Sequence, residues 1–380
     1  MKQIATYDGE LILDGSKIAY HADRVAQWDA GERIAPVSVD LALTRACQSS
    51  CRGCYAVLQE SQERENITEK HALNLLDDFA DIGVRGVSIV SDGESTLSPA
   101  YVPFIQHAAE VGIDIGNATN GWRFFPDVAE QVMPHMKWIR FTVLSGTADG
   151  FMRMMAPHDK TYKQWANMMV NVAHAVQFKR ARNLDITLGI QTFVTPEDEA
   201  EIVAFAQLGI DLGVDYAVIK HTSDDEYGSF GIHYEDYGKI SDALKRAEAM
   251  STDTTKVIVK WNKIADGNRP PYKRFYAPPF LLQLSGSGLV APSGMFFNSR
   301  YSRLHIGSFV DERFKDIWQS SRYWDVMQYL TSPMFDAETM LGALPIQHYT
   351  NVALDRHVRG IDRIEPLPDG TPVPAHVSFL

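Results

Sequence analysis

Cys47, Cys51 and Cys54 are the only thiols among 380 residues, and all three fall in one short stretch, Thr44-Arg-Ala-Cys-Gln-Ser-Ser-Cys-Arg-Gly-Cys-Tyr55. Thiolates at x3 and x2 spacing suit a metal or a metal–sulfur cluster. Three are one fewer than the four that close a structural zinc site or an ordinary iron–sulfur centre, so one metal position is left open to another ligand. Two plainer readings stand beside this one: a histidine from elsewhere completes a Cys3His zinc site, or the thiols are buried and inert. A disulfide fits poorly, because the count is odd and neighbours this close in a loop bridge badly.

Further polar residues follow apolar runs. Asp92-Gly-Glu-Ser-Thr-Leu97 comes after Val87-Ser-Ile-Val90, and Thr119-Asn-Gly121 comes after Ile113-Asp-Ile115. A carboxylate at a strand end, such as Glu94, is a charged acceptor for an ammonium group; the plain alternative is an Asp-Gly turn.

The elements that position these groups alternate. Val37–Leu43 reads as a strand delivering the cysteine loop. A helix follows, with Thr68 as N-cap, Ala72, Leu75, Leu76 and Phe79 as its apolar stripe and Gly83 as its stop. Strands are expected at 87–90, 113–115, 139–143, 186–190 and 216–219, with room for a helix between neighbours, which implies a parallel sheet with its site at the carboxyl ends of the strands. Residues 1–35 read as an extension of short strands and turns, with Asp14-Gly15 and Ala30-Gly31 as turn signals. The expected division is 36–225 as the core, 226–275 as a connection with a strand near Lys256–Trp261, and 276–380 as a further unit ending in an extended, proline-rich tail.

The chain is 45% hydrophobic, which suits a full core, and carries a net charge of −12, which argues against broad attraction to nucleic acid. Small basic clusters at Lys179, Arg180 and Arg182 and at Arg269, Lys273 and Arg274 read as solvated faces or helix ends. No apolar run reaches membrane-spanning length and no signal-peptide core opens the chain, so a cytoplasmic protein with no membrane partner is expected. Oxygen-sensitive thiolates fit that reducing compartment.

The C-x-x-x-C-x-x-C pattern resembles the radical S-adenosylmethionine (radical SAM) superfamily. There, three cysteines hold a [4Fe–4S] cluster, SAM chelates the fourth iron, and electron transfer cleaves SAM to methionine and a 5′-deoxyadenosyl radical. The resemblance implies an α/β fold, the partial (β/α)6 TIM-type barrel, with Cys47, Cys51 and Cys54 on iron. It implies that Glu94 and the Asp92-Gly93 backbone, where the family has Gly-Gly-Glu-Pro, hold the SAM amino group. Asn120 matches the family's Thr-Asn-Gly, Thr142 its ribose-contacting serine, Arg153 an arginine for the SAM carboxylate, and Gln191 is a further contact. The residue before the last cysteine, commonly aromatic in the family, is here Gly53, and Tyr55 is the candidate for packing the adenine. The implied electron donor is a small flavodoxin or ferredoxin.

Gly288–Ser293 and Ile306–Trp318 resemble the SPASM/twitch extension of these enzymes, a small α+β unit. Ser293 stands where a cysteine would ligate an auxiliary cluster, and no later cysteine exists. The extension is therefore expected to cover the substrate without metal, with His305, His348 and His357 as conceivable replacement ligands. Lacking an auxiliary cluster as electron acceptor and a spare thiol as hydrogen donor, the reaction is expected to be redox-neutral: an isomerase, mutase or lyase.

The degenerate extension resembles that of phage-encoded radical SAM proteins of DNA hypermodification, which makes an amino-acid-modified thymine in DNA the leading substrate. Phe296, Phe297, Arg300, Tyr301 and Arg303 are candidates to stack on and clamp a nucleotide. The alternatives are modification of a ribosomally synthesised peptide and a non-catalytic iron–sulfur or zinc regulator.

Overall fold

Alternating apolar runs and amphipathic stretches fold into one open, mostly parallel sheet with its connections packed on the outside. The structure, a computed structural model, describes residues 15–59, 67–341 and 343–380. Its strands are β1 (Ser38–Leu41), β2 (Gly86–Ile89), β3 (Asp114–Thr119), β4 (Trp138–Thr142), β5 (Thr187–Val194), β6 (Tyr216–His221), β7 (Lys256–Val259), β8 (Leu281–Leu284), β9 (Leu289–Ala291) and β10 (Gly307–Ser308). The helices of the first two thirds are α1 (Ala22–Asp29), α2 (Glu69–Ile82), α3 (Tyr101–Glu110), α4 (Pro126–Val132), α5 (Ala148–Met154), α6 (Lys163–Arg182), α7 (Glu199–Leu212), α8 (Ser241–Ala249) and α9 (Trp261–Asp266).

The spatial order is β10-β9-β8-β1-β2-β3-β4-β5-β6-β7. All pairs from β8 through β7 are parallel, and only β9 and β10 run antiparallel. The two ends of the sheet do not pair, so the barrel is open. This is the partial β/α barrel the sequence implied, with the parallel run extended by β7 beyond β6 and by β8 on the far side of β1.

In β4 the alternation is direct. Ile139 and Phe141 are wholly buried against the outer layer, where Phe141 meets Phe124 edge to face, while Trp138, Arg140 and Thr142 line cavities inside the barrel. Helix α2 is held as its sequence suggests: Thr68 accepts from the His71 backbone amide, and Gly83 closes the helix at φ 92°.

Residues 15–29 depart from the expected short strands. They form a 3-10 turn (Gly15–His21) running into α1, because Ile18, Ala22 and Val25 recur at helical spacing and bury one stripe. Asp14 and the rest of the expected extension up to residue 14 lie outside the described residues. The tail runs as expected without helix or strand, and its end packs at the amino ends of the strands: Ser378 Oγ donates to Asp114, and Phe379 meets Trp138. No helix among the described residues is long and apolar enough to cross a membrane.

Candidate active site

The cysteine loop leaves β1 and is clamped from three sides. The Leu43 amide donates to Ser95 Oγ, and the Glu94 amide donates to the Ala46 carbonyl at 2.8 Å, tying the loop to the segment after β2. Gln48 Nε2 donates to Asn120 Oδ1 at 2.9 Å, tying it to the segment after β3. At the end of α5 and just after it, the Met154 and Ala156 carbonyls accept from the Arg52 and Ser50 amides. Gly93 has φ 104°, and a Cβ there would sit 2.1 Å from the Thr44 carbonyl oxygen, so only glycine lets the two loops meet.

Gly53 has the left-handed φ of 79°, and a Cβ on it would lie 2.7 Å from Thr222 Cγ2 and 3.1 Å from the Phe193 ring. That is the physical reason no aromatic residue stands before the last cysteine: β5 and β6 already fill the space.

The loop opens on a cavity of about 400 Å³ at the carboxyl ends of the strands. Cys47, Cys51, Cys54, Tyr55, Asp92, Gly93, Glu94, Asn120, Thr142 and Gln191 all line it, so ten of the eleven residues singled out from the sequence are brought together. Arg153 is not among them. On the exposed side of α5 its guanidinium pairs with Glu201 of α7 at 2.6 Å.

The thiols are half-buried and free. Burial pushes all three up, Cys47 to about 11, with neighbouring thiols adding to the rise at Cys47 and Cys51, so as uncomplexed groups they are protonated at neutral pH. They would ionise only against strong positive charge, which iron supplies. Among the described residues no three His, Cys, Asp or Glu side chains converge as on a single ion.

The acidic residues are already engaged. Glu94 accepts from Thr96 Oγ1, Thr119 Oγ1 and the Thr96 and Asn120 amides at 2.7–3.2 Å. Buried Asp92 accepts from Arg45 Nε at 3.0 Å, Ser285 Oγ at 2.6 Å and the Gly286 amide at 2.9 Å. Both carboxylates therefore hold loops together, and Glu94 Oε2, which accepts only from the Asn120 amide, keeps acceptor capacity for a ligand beside the main-chain groups. Unused hydrogen-bonding capacity lies at Asn120 Nδ2, which is buried without a partner among the described residues. A polar ligand filling the cavity would satisfy it.

The segment after β8 closes the other side through Met295, Phe297 and the run Ala343–Ile346. Ser293 caps a turn, its hydroxyl donating to Gln283 Oε1. His305 bonds the Phe296 carbonyl, His348 pairs with Asp266 and His357 with Asp29, so these three do not converge.

The sequence reading missed three cations on the inner wall, Arg140, Lys220 and Lys263. The available signal was a charged residue at the inward phase of a strand buried on both faces: Arg140 between Ile139 and Phe141, and Lys220 after Tyr216–Ile219.

No family model and no curated protein matches the chain. Solved structures do. Streptococcus suis SuiB bound to S-adenosylmethionine aligns with TM-score 0.59 at 13% identity, over 81% of this chain and 71% of that one. SuiB bound to the precursor peptide SuiA aligns with TM-score 0.59 at 11% identity, over 84% and 74%. Native anSMEcpe with bound AdoMet aligns with TM-score 0.59 at 10% identity, over 86% of this chain and all of that one (100%). At such identities the likeness is one of fold: an open, mostly parallel β/α barrel.

Proposed function

We propose that this chain is a radical SAM enzyme. The observation that carries the reading is the set of three free cysteines on the rim of an open β/α barrel, facing a cavity with unsatisfied polar groups. Cys47, Cys51 and Cys54 would hold a [4Fe–4S] cluster, and SAM would bind beside it. With both bound there and one electron supplied, the chemistry available to these residues would be hydrogen-atom abstraction from a substrate held in the cavity.

This chain's own residues do the positioning. The Asp92 and Gly93 carbonyls, held in place by the side-chain bonds of Asp92 and Glu94, would receive the SAM ammonium. Asn120 Nδ2, Thr142 and Gln191 offer hydrogen bonds across the barrel mouth, and Tyr55 lies next to Cys54 for the adenine. Met295, Phe297 and Ala343–Ile346 shield the cavity from water, which protects a radical from quenching. A flavodoxin or ferredoxin would supply the electron.

The outcome we favour is redox-neutral, an isomerase, mutase or lyase. The three cysteines are committed to one cluster and Ser293 caps a turn, so no second cluster or thiol accepts an electron or returns a hydrogen. For the substrate, a modified thymine base in DNA draws limited support. Phe296 is wholly buried and Phe297 nearly so, Lys179 pairs with Asp215, and Arg300 pairs with Glu226 while lying over the rings of Tyr227 and Tyr301. A peptide substrate is favoured by a specific finding: both SuiB and anSMEcpe are matched in peptide-bound structures.

Anaerobic reconstitution with iron and sulfide, reduction with dithionite and addition of SAM should yield 5′-deoxyadenosine, and alanine at any of the three cysteines should abolish it. Protein that holds zinc and leaves SAM intact would favour the regulator instead.

A further inference from the structure

The barrel interior holds more positive charge than its carboxylates balance. Arg140 on β4, Lys220 on β6 and Lys263 on α9 line the cysteine-bearing cavity, and all three also border a second cavity of about 230 Å³ nearer the amino ends of the strands. Lys220 Nζ has no hydrogen-bond or ion-pair partner among the described residues, and the charges nearest it, Lys263, Arg140 and Lys260, are all cations. Lys263 Nζ donates to a neutral hydroxyl, Ser223 Oγ, at 3.1 Å. Arg140 Nε is buried without a partner, and its guanidinium lies 5.6 Å from the Trp138 ring centroid.

Of the cavity's carboxylates, Asp92 is paired with Arg45, and Glu94, bonded to the neutral groups of Thr96, Thr119 and Asn120, forms no ion pair with the three cations. Asp40, the anion that Arg140 does feel, is pushed by burial to about 7 and offers only part of a charge. Cations that share one cavity with little counter-charge repel one another, and an anion entering the cavity relieves that cost. Burial and mutual repulsion lower Lys220 far below the usual lysine range and Lys263 to about 8, and a bound anion would reverse both shifts.

We propose that Arg140, Lys220 and Lys263 form a recognition site for an oxyanion, a carboxylate or phosphate, borne by the substrate of the cysteine-lined cavity. Arginine's planar fork and the two lysine point charges suit such a group. Anchored there, the substrate extends toward the cysteine end of the same cavity. The inference rests on the proposed function only in taking that cavity as the substrate's.

The test is calorimetric titration of the anaerobically reconstituted protein with N-acetylglycine, methyl phosphate and the uncharged N-acetylglycinamide. One of the two anions should bind saturably, and which one it is separates carboxylate from phosphate. The amide should bind at least about tenfold more weakly, and Lys220→Met and Lys263→Met should each weaken the anion by roughly tenfold or more, as for a buried charge pair. Lys220→Arg should keep binding. Because Lys220→Met removes an amine that has no ion-pair partner among the described residues, its melting temperature should hold or rise, which separates lost recognition from lost folding.

Saturating SAM should leave the anion's affinity unchanged; competition would assign these cations to SAM's own carboxylate and overturn the proposal. Equal binding of the amide, no binding of either anion, or indifference to both methionine variants would overturn it too. 5′-Deoxyadenosine formation does not enter this titration, so failure here and failure of the radical SAM reading are told apart.

Discussion

Replacing Asp92 by alanine tests how the cysteine loop is held. The carboxylate is 5% exposed and joins three parts of the chain: Arg45 in the cysteine loop, its own loop after β2, and Ser285-Gly286 in the turn after β8. Burial raises the Asp92 pKa in spite of Arg45, so the pair gives little net stabilisation while intact. Removing one partner is different. Arg45, 11% exposed, would be left as an uncompensated charge, and the Ser285 hydroxyl and Gly286 amide would lose their acceptor. Breaking a buried pair in this way costs about 3–5 kcal/mol. With an unfolding entropy of about 2.1 cal/mol/K per residue, that corresponds to a melting temperature roughly 4–6 °C lower for 380 residues. Asp92→Asn keeps the shape and one acceptor oxygen and should lose about half as much. Calorimetry reads the shift, and faster reaction of Cys47 with a thiol reagent in the metal-free protein reads the loosened loop. A fall of less than about 1 °C for Asp92→Ala, with unchanged thiol reactivity, would refute the bridging role.

Gly53→Ala forces a side chain into left-handed backbone, about 1–2 kcal/mol, and into contact with Thr222 and Phe193. The variant should shed iron on gel filtration that the wild type keeps, as measured by metal analysis. Arg153→Gln should leave SAM affinity and stability nearly unchanged, because its exposed pair with Glu201 contributes about 1 kcal/mol at most; a tenfold loss of SAM affinity would return Arg153 to the site. Burial lowers His21 to about 4, His221 to about 3 and His376 to about 4. A depressed folded pKa means that the neutral ring's stability is fully present above the unfolded value near 6.5 and is lost as pH falls toward 4. Asp40 and Asp92, both raised, work in the opposite sense, while His305, lowered by burial, adds to the three histidines. The melting temperature should therefore drop between about pH 7 and pH 5, and His21→Asn, though less stable at neutral pH, should flatten that slope.

Local signals made most of the fold legible. Apolar runs gave each core strand within a few residues, and the caps of α2 followed from Thr68 and Gly83. The cysteine motif and the polar strand ends led to one cavity because parallel strands bring their carboxyl ends together wherever the intervening helices lie. Other features depended on distance along the chain. The pairing of β8 with β1 joins segments some 240 residues apart, and Phe280–Leu284 reads equally well as any buried strand. Arg153 was placed by analogy of position, whereas the direction α5 takes sends it outward toward Glu201. The helical start at Gly15–Asp29 was hidden by turn-forming residues at its ends, Gly15 and Ala30-Gly31, which outweighed the helical spacing between them. Arg140, Lys220 and Lys263 are unremarkable in sequence, and only the curvature of the open barrel around a shared interior turns three scattered cations into one cluster.

The most direct measurement of the central claim is electron paramagnetic resonance of the reduced, reconstituted protein with and without SAM carrying 15N in its amino group. A [4Fe–4S]+ signal that shifts on SAM addition and acquires 15N hyperfine coupling is the expected result, since Cys47, Cys51 and Cys54 leave one iron for that ligand. A signal that SAM leaves unchanged, or protein whose thiols hold zinc and give no signal, would contradict it.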